Sequence, residues 1–291
     1  MLDGGLATQL EAMGHDLSDD LWSARLLQDD PDAIVAAHLA YFDAGAEVAT
    51  TASYQATRDG FARVGLSSTQ SDELVARSVA LARRAAEEHL AAADEPRPLW
   101  VAGSVGPYGA MLAGGEEYTG AYDLDETALR DFHRPRLVAL RDAGADVIAL
   151  ETVPQLTEVR ALVAEVEDLG LPAWLAVSVT GDRLRSGESA DDAFRAAADA
   201  PHVIAVGVNC STPRDATALV ARAVELSGKP AVVYPNSGEQ WDGAARRWIG
   251  EPGLDDVDVA RWVRDGARLV GGCCRTGPQD IAAVATTVHA A

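Results

Sequence analysis

The sequence has few basic side chains, and only one of them, Lys229, is a lysine. Its 24 basic residues stand against 45 acidic ones, which gives a formal net charge of −21 at neutral pH. A surface of this sign repels phosphate backbones and anionic lipid. The charge balance therefore predicts neither a nucleic-acid partner nor a membrane partner. It leaves open a solubility adaptation or a cationic small substrate.

Long apolar runs and a leader pattern are also missing. No stretch approaches the ~18 apolar residues of a membrane-spanning helix. Residues 1–12 lack the basic flank, apolar core and small-residue cleavage site of a signal peptide. Cysteine is scarce, and three cysteines, an odd number, do not predict a disulfide framework. We therefore expect a soluble protein of the reducing, cytoplasmic compartment.

The three cysteines that are present all follow apolar runs of strand length. Cys273 and Cys274 are adjacent and come after two glycines in RLVGGCCRT, and Cys210 ends the run VIAVGVNCS. If these two strand ends are neighbours, the three sulfurs converge on one soft metal ion. Thiolates favour zinc over magnesium or calcium, and three protein ligands leave one tetrahedral position open, as in catalytic zinc sites. The sequence therefore predicts an open zinc site.

Two other interpretations of the cysteines are weaker. Any single cysteine could simply pack as a small hydrophobic residue, but all three lie at predicted strand ends. A redox dithiol is disfavoured because adjacent cysteines reach disulfide geometry only with strain. The chain also has no CxxC motif.

Apolar runs alternate with helical patterns along the whole sequence. The predicted strands are residues 2–5, 47–51, 99–105, 146–150, 173–179, 203–208, 231–234 and 269–270. Such alternation is typical of right-handed βαβ units around a parallel sheet. Eight units in this length predict one α/β domain over residues 1–291, a (β/α)8 TIM barrel. An open doubly wound sheet is the alternative, but no GxGxxG follows the first strand.

In such barrels the catalytic groups lie at the carboxyl ends of the strands. The polar residues at the predicted ends, besides the cysteines, are Asp3, Thr50, Thr51, Ser104, Glu151, Ser178, Asn209 and Asn236. The carboxylates among them either cap a helix or pair with an arginine, or they face the barrel mouth and hold a substrate ammonium. Tyr54, Tyr108 and Trp241 either line a pocket or pack on the barrel rim.

Residues 111–122, MLAGGEEYTGAY, have turn character and no helical period. This pattern predicts a loop that is long enough to act as a lid. We interpret its two glutamates, Glu116 and Glu117, as a solvated face of that loop. The six histidines are interpreted as surface or packing residues.

Several short motifs occur in a familiar order along the chain. They are DGGLATQLE, TASYQA, AGSVGPYGA, ADVIALET, GVNC, VVYPNSGE and GGCCRT. In this order the sequence resembles the homocysteine S-methyltransferase family, from Asp3 to the last helix. HRPR and YPNSGE make it similar to the stand-alone members that use S-methylmethionine. A short N-terminus is the main departure from the family pattern.

The resemblance implies a zinc-dependent enzyme that moves a methyl group from a sulfonium donor to homocysteine and so forms methionine. S-methylmethionine, or S-adenosylmethionine, is the implied donor, and a monomer or small homo-oligomer is expected. The implied zinc ligands are Cys210, Cys273 and Cys274; the implied substrate contacts are Asp3 and Glu151 at the homocysteine amino group, with Asn209 and Asn236 beside them.

Two alternatives to this activity remain. One is the homocysteine module of a cobalamin-dependent methionine synthase, although nothing beyond the predicted barrel is present to hold cobalamin or folate. The other is a non-catalytic, zinc-stabilised barrel or a thiol-binding sensor.

Overall fold

Seven parallel strands form one curled sheet, in the order β1-β2-β3-β4-β7-β8-β11. The computed structural model of the chain describes residues 1–17, 23–242, 247–249 and 259–290. The strands of the sheet are β1 (Val48–Thr50), β2 (Trp100–Val105), β3 (Val147–Val153), β4 (Ala173–Val177), β7 (Val203–Asn209), β8 (Ala231–Tyr234) and β11 (Ala267–Val270). Two antiparallel pairs lie outside it, β5 (Val179–Thr180) with β6 (Arg183–Leu184) and β9 (Gln240–Asp242) with β10 (Arg247–Ile249).

The segment at residues 1–3 occupies an eighth strand position and closes the sheet. Leu2 forms a parallel bridge with Val48 of β1. On its other side, the backbone N–H of Leu2 donates to the carbonyl oxygen of Val270 in β11 at 2.8 Å. Asp3 adds a bond on each side, because its N–H donates to the carbonyl oxygen of Val48 and its own carbonyl oxygen accepts from the N–H of Gly272, both at 3.1 Å. Residues 1–3 thus join the two edges of the sheet. The result is a single-domain (β/α)8 barrel, which confirms the predicted fold class.

The helices surround this sheet and alternate with its strands. They are α1 (Leu6–Ala12), α2 (Ser23–Asp29), α3 (Pro31–Asp43), α4 (Arg58–Ala62), α5 (Ser68–Ala92), α6 (Tyr108–Leu112), α7 (Glu126–Asp142), α8 (Leu156–Leu169), α9 (Ala190–Ala196), α10 (Pro213–Ser227), α11 (Val259–Arg264) and α12 (Pro278–Ala290). Among the helices of the described ranges, none combines the length and the apolar character needed to cross a membrane.

Two large rings fill the inside of the barrel. The inward-facing strand residues form one buried cluster, which consists of Leu2, Val48, Ala102, Ala149, Trp174, Ala176, Ala205, Val232 and Tyr234. The indole N–H of Trp174 donates to the Tyr234 hydroxyl at 2.9 Å, and the two rings cross at 86°. The alanines leave room for these rings. A side chain at Gly207 has no space, since its Cβ would lie 1.9 Å from a β8 carbonyl oxygen. The interior is therefore packed, and functional groups must lie above it.

Residues 111–122 differ from their prediction. Helix α6 continues to Leu112 and ends at Ala113, whose φ is 61°. Residues Glu116–Tyr118 then form a 3-10 helix. The expectation of a segment without helical structure was wrong, because two helical turns this short leave no periodic pattern in the sequence.

Candidate metal and substrate site

The three cysteine thiols meet at the carboxyl ends of β7 and β11. The Sγ atoms of Cys210 and Cys274 are 3.7 Å apart, and those of Cys273 and Cys274 are 4.0 Å apart. Zn–S bonds of ~2.3 Å at the tetrahedral angle separate two sulfurs by ~3.8 Å. The three thiols therefore fit one soft metal ion. Within the part of the chain that the structure describes, no other group of three ligating side chains is as close.

The backbone around each cysteine is fixed by the neighbouring strand end. Cys210 adopts the left-handed conformation, with φ at 46°, which costs a non-glycine residue about 1–3 kcal/mol. Its N–H donates to the carbonyl oxygen of Tyr234 at 3.2 Å. The N–H of Cys273 donates to the carbonyl oxygen of Pro235 at 2.8 Å. The last residue of β8 and the residue after it thus hold the cysteines that follow both neighbouring strands.

Two asparagine side chains orient the cysteines. The amide oxygen of Asn209 accepts from the Thr152 N–H at 2.7 Å, and its NH₂ group donates to the Thr152 hydroxyl at 2.8 Å. The same NH₂ group approaches the Cys273 sulfur at 4.0 Å. Asn236 accepts from the N–H of Cys274 at 3.2 Å. Both asparagines therefore lie at the site, beside the thiols; contact with a substrate stays a prediction.

The three thiols differ in the direction of their pKa shifts. Hydrogen bonds from Cys273 and Cys274 hold the pKa of the Cys210 thiol well below its ordinary value. The same hydrogen bonds to Cys210, together with burial and the negative charge on Cys210, raise the pKa of the other two thiols. One thiolate is thus favoured in the cluster, and a bound cation would allow all three.

Asp3 and Glu151 are buried carboxylates on the same rim of the barrel. Asp3 is 3% exposed and accepts from the Thr50 N–H at 2.7 Å and from the Thr50 hydroxyl at 2.8 Å. Glu151 is 7% exposed and accepts from the hydroxyl of Ser104. Burial raises the pKa of each carboxyl to about 7. The nearby charge of Glu151 raises the pKa of Asp3 further.

Neither carboxylate has the structural partner that the alternative interpretation requires. The residue before α1 is Gly5 and the residue before α8 is Gln155, so Asp3 and Glu151 cap neither helix. Among the described residues, no arginine, lysine or histidine lies within ion-pairing distance of them. Helix capping and arginine pairing are therefore excluded for both.

The segment at residues 116–118 brings two further side chains to the thiols. The Tyr118 side chain hydrogen-bonds the thiols of Cys210 and Cys274 and favours their ionised forms, as a smaller effect than the hydrogen bonds among the thiols, which hold the pKa of Cys210 low and that of Cys274 high. Glu117 is 3% exposed, and burial raises its pKa to about 7, with the Cys210 charge adding to the effect. The interpretation of Glu117 as a solvated face was wrong. Its neighbour Glu116 is half-buried and does face the solvent.

The tyrosines of the predicted pocket separate into two kinds. Tyr54 hydrogen-bonds the Thr152 side chain, and the charges of Glu117 and Cys210 raise its pKa, after the larger effect of burial. It therefore lies at the site. Tyr108 instead packs against Phe132 at 5.0 Å between ring centroids, on the rim. The side chain of Trp241 lies outside the described residues.

A buried arginine of α7 holds the loops that carry Tyr54. The guanidinium of Arg136 donates to the carbonyl oxygen of Tyr54 at 2.8 Å and to that of Gly106 at 2.6 Å. A Cβ at Gly106 would lie 2.6 Å from the Tyr54 ring, so only glycine permits this contact. Arg136 is 3% exposed, and burial lowers its pKa to about 10. The side chain stays charged at neutral pH and joins the loops after β1 and β2.

Arg136 belongs to a buried network that its neighbours complete. His133 lies 3.0 Å from the guanidinium and 2.8 Å from a carboxylate oxygen of Glu158. Glu158 also accepts from the N–H of Tyr108 at 2.7 Å and from the Tyr122 hydroxyl. His133 and Glu158 are fully buried. The motif HRPR, residues 133–136, therefore has a structural role. Its histidine and its last arginine belong to the network that connects α7 and α8 to Tyr108 and Tyr122, on either side of the 116–118 segment.

Comparison with known proteins gives one consistent family. The family model described as homocysteine S-methyltransferase matches residues 1–288. The homocysteine S-methyltransferase of Escherichia coli is 46% identical, over 98% of this chain and 93% of its own. Homocysteine S-methyltransferase 3 of Zea mays is 43% identical, over 99% and 90%.

A solved structure extends the comparison to three dimensions. The homocysteine methyltransferase MmuM of Escherichia coli, in its metallated form, superposes with a TM-score of 0.89 at 44% identity. The match covers 98% of this chain and 94% of that one. The similarity therefore includes nearly every element of the barrel.

Proposed function

We propose, because the chain belongs to the homocysteine S-methyltransferase family, that it transfers a methyl group from a sulfonium donor to homocysteine with the help of zinc. The enzyme class follows from that membership. Zinc, the donor and the roles of single residues are the proposal. S-methylmethionine is the donor we propose first, with S-adenosylmethionine as the second.

The convergence of Cys210, Cys273 and Cys274 carries this proposal. Their sulfur separations of 3.7 and 4.0 Å suit one ion with ~2.3 Å bonds. Zinc bound there would lower the pKa of the homocysteine thiol, so that its sulfur is a thiolate at neutral pH. Asn209 keeps an N–H directed at the Cys273 sulfur and so stabilises negative charge on it.

The carboxylates Asp3 and Glu151 suit the ammonium group of homocysteine. They are buried, and no basic side chain of the described residues pairs with them. An ammonium between them supplies the missing positive charge and lowers both pKa values from about 7. Binding through nitrogen then orients the substrate sulfur toward the thiols, which converts the reaction into one between positioned groups.

The remaining side chains suit a cationic donor. Tyr54, Tyr118 and Glu117 offer aromatic faces and a buried carboxylate, and a sulfonium is attracted by both. In the transfer, a lone pair of the homocysteine sulfur forms the new bond to the methyl carbon. The bond from that carbon to the donor sulfur breaks, and its electron pair stays on the donor as a neutral thioether. The products are methionine and the demethylated donor.

The compartment we propose is the cytosol. Three free thiols within 4.8 Å of one another keep their reduced state most readily where glutathione and thioredoxin act.

Methionine formation tests the proposed function. Zinc-loaded protein is incubated with homocysteine and with S-methylmethionine, S-adenosylmethionine, betaine or methylcobalamin, and bound zinc is measured by atomic emission. We expect one zinc per chain and turnover with a sulfonium. Bound zinc with turnover from methylcobalamin alone, or from no donor, contradicts the donor class.

A cysteine variant tests the metal site in the same assay. Cys273→Ala should lose zinc retention and turnover together, whereas Glu11→Gln, an exposed change on α1, should keep both. Circular dichroism establishes that the variant is folded. Full activity of Cys273→Ala would contradict the assignment.

A further inference from the structure

The site lacks a partner for one group that the substrates carry. Homocysteine and amino-acid sulfoniums both have an α-carboxylate, yet the described side chains at the site include three carboxylates, Asp3, Glu117 and Glu151. An anion brought into these surroundings needs a cation or several N–H donors. A basic side chain near the thiols is therefore of special interest.

Two of the arginines near the site are already engaged. Arg275 follows Cys274 but pairs with the carboxylate of Glu239 at 3.2 Å. Arg136 is buried behind the loops and donates to their backbone carbonyl oxygens. Neither is available to a ligand without losing these contacts.

Arg185 is placed differently. It follows the β5–β6 hairpin at the carboxyl end of β4, and one of its terminal nitrogens reaches the carbonyl oxygen of Cys210 at 3.4 Å. The other terminal nitrogen donates to the Thr180 hydroxyl at 2.7 Å. Its Nε is buried and has no hydrogen-bond partner among the described residues. The guanidinium is close enough to Cys210 for its charge to lower the pKa of that thiol.

Arg185 also lacks an acidic partner, in a chain with 45 acidic residues. No carboxylate of the described ranges lies within ion-pairing distance of it. Arg195, a few residues further on, shows the ordinary case, because it pairs with Asp192 at 3.2 Å. A half-buried guanidinium with a free Nε and no counterion can accept a carboxylate through two parallel hydrogen bonds.

The hairpin holds this arginine at a fixed place on the rim. The N–H and hydroxyl of Ser186 both donate to the carbonyl oxygen of Pro154, at 3.1 and 2.7 Å. The N–H of Val179 donates to the hydroxyl of Ser211, just after Cys210, at 2.8 Å. Gly120 lies against Ser186, where a Cβ would come within 2.8 Å. The hairpin therefore joins the ends of β3 and β7 to the segment that carries Tyr118.

We infer that Arg185 forms a subsite for the α-carboxylate of an amino-acid substrate at the thiol cluster. The inference rests on the proposed function, which supplies two such substrates, homocysteine and the amino-acid sulfonium. Arg185 binds through Nε and a terminal nitrogen, and it acts on binding and orientation, with no part in the bond changes.

Substrate truncation tests the subsite. Arg185→Gln and Arg185→Lys are compared with the matched control Arg183→Ala, an exposed arginine of the same hairpin. Each is assayed with S-methylmethionine and with its decarboxylated form, (3-aminopropyl)dimethylsulfonium. Each is also assayed with homocysteine and with its decarboxylated form, mercaptopropylamine.

We expect Arg185→Gln to lower kcat/KM for the carboxylate-bearing form of one substrate about 10- to 100-fold, the range of a charged hydrogen bond. With the decarboxylated form of that substrate, the variant and the wild type should agree within about twofold. Arg185→Lys should recover part of the loss, and Arg183→Ala should show none. If the loss of kcat/KM in Arg185→Gln disappears when one substrate is decarboxylated, Arg185 binds the carboxylate of that substrate. Equal losses with intact and truncated substrates, or no loss, contradict the inference.

Binding separates this inference from the proposed function. If the wild type forms no methionine from any donor, the proposed function fails, and calorimetric titration of the zinc-loaded protein still compares the intact and truncated ligands. A Kd that Arg185→Gln weakens only for the carboxylate-bearing ligand upholds the subsite. An equal effect on both ligands, or no binding of either to the wild type, overturns it.

Discussion

Two buried clusters of charge lie on either side of the loops after β1 and β2, and they differ in one respect. In the α7 network, Arg136, His133 and Glu158 satisfy one another at 2.8 to 3.0 Å. In the rim cluster, Asp3 and Glu151 accept hydrogen bonds only from hydroxyl and N–H groups. Among the described residues, the first cluster contains its own cation, whereas the second contains none and feels only the more distant charge of Arg136, which lowers the pKa of Glu151.

The presence or absence of a counterion decides how each cluster can keep its charge while buried. Burying a charge without a counterion is costly, and carboxylates in that position raise their pKa and take up protons. The α7 network avoids this cost within the chain, so it can hold backbone in place permanently. The rim carboxylates, with pKa values of about 7, reach their ionised form most easily when a ligand brings positive charge. Internal pairing thus agrees with a structural role for the α7 network, and its absence agrees with the substrate-binding role proposed for the rim carboxylates.

Breaking the internally paired cluster should give the largest effect on stability. Arg136→Met leaves His133 Nδ1 and two loop carbonyl oxygens without their donor, and it removes the positive charge that acts on buried Glu158. Leaving a buried charge without its counterion costs about 3–5 kcal/mol. Urea unfolding measures the loss. Arg141→Met, on the exposed side of the same helix, should cost less than about 1 kcal/mol. Equal losses in the two variants would contradict a special role for Arg136.

Neutralising the unpaired cluster should affect activity and leave stability unharmed. Glu151→Gln keeps the size of the side chain but cannot pair with an ammonium. We expect kcat/KM for homocysteine to fall roughly 100-fold, from a charged hydrogen bond of up to ~3 kcal/mol. The free energy of unfolding should stay the same or rise, because the amide carries no buried charge. A destabilised variant with unchanged kinetics would show that Glu151 is structural.

His38 is a third kind of buried titratable group, because it has no hydrogen-bond partner among the described residues and lies outside the proposed substrate site. It is fully buried in α3, both ring nitrogens lack a hydrogen-bond partner among the described residues, and burial lowers its pKa to about 4. Below its ordinary pKa of 6.5, the unfolded chain binds a proton that the folded chain refuses until about pH 4. Stability therefore falls as the pH drops through this window, by about 2 kcal/mol at about pH 5, and is unaffected above it.

The variant His38→Leu removes this contribution. Urea unfolding at about pH 8 and about pH 5 gives the pH dependence for both proteins, and their difference isolates His38 because other titrating groups cancel. We expect the wild type to lose about 2 kcal/mol more than the variant. Parallel pH profiles would show that His38 takes up its proton in the folded state.

The barrel and the meeting of its strand ends could be predicted because both depend on local patterns. Apolar runs mark the strands, and parallel strands place their carboxyl ends on one rim. For this reason the sequence alone predicts that Asp3, Glu151 and the three cysteines lie on the same rim of the barrel. The first strand carries the shortest apolar run, and in the structure its β-bridge to β1 is the single pair Leu2–Val48, with backbone hydrogen bonds of Met1 and Asp3 beside it.

The loop contributions could not be predicted in the same way. Glu117 and Tyr118 reach the thiols because their segment packs against Gly109, where a Cβ would meet the backbone of Glu117 at 2.7 Å. Nothing local to the segment specifies that contact. Arg185 depends likewise on a hairpin held by other strands.

For the α7 network a signal was present in the sequence. His133 and Arg136 fall on the same helical stripe as Leu129, Leu137 and Leu140, all of which are buried. Polar residues on an apolar stripe predict buried partners. The histidines were interpreted as surface or packing residues, and for His133 the burial is correct but its hydrogen bonds to Glu158 and Arg136 were missed.

The closure of the barrel through Leu2 has a consequence for synthesis on the ribosome. The N–H of Arg275 donates to the Thr8 hydroxyl across 267 residues of sequence, and Leu2 pairs with Val270 in the same region. A nascent chain that ends before residue 273 has Asp3 but only one of the three thiols. Under the proposed function, metal capture by all three thiols must therefore wait until almost the whole chain has emerged, and a metal-loaded molecule is one whose translation has run through its last strand.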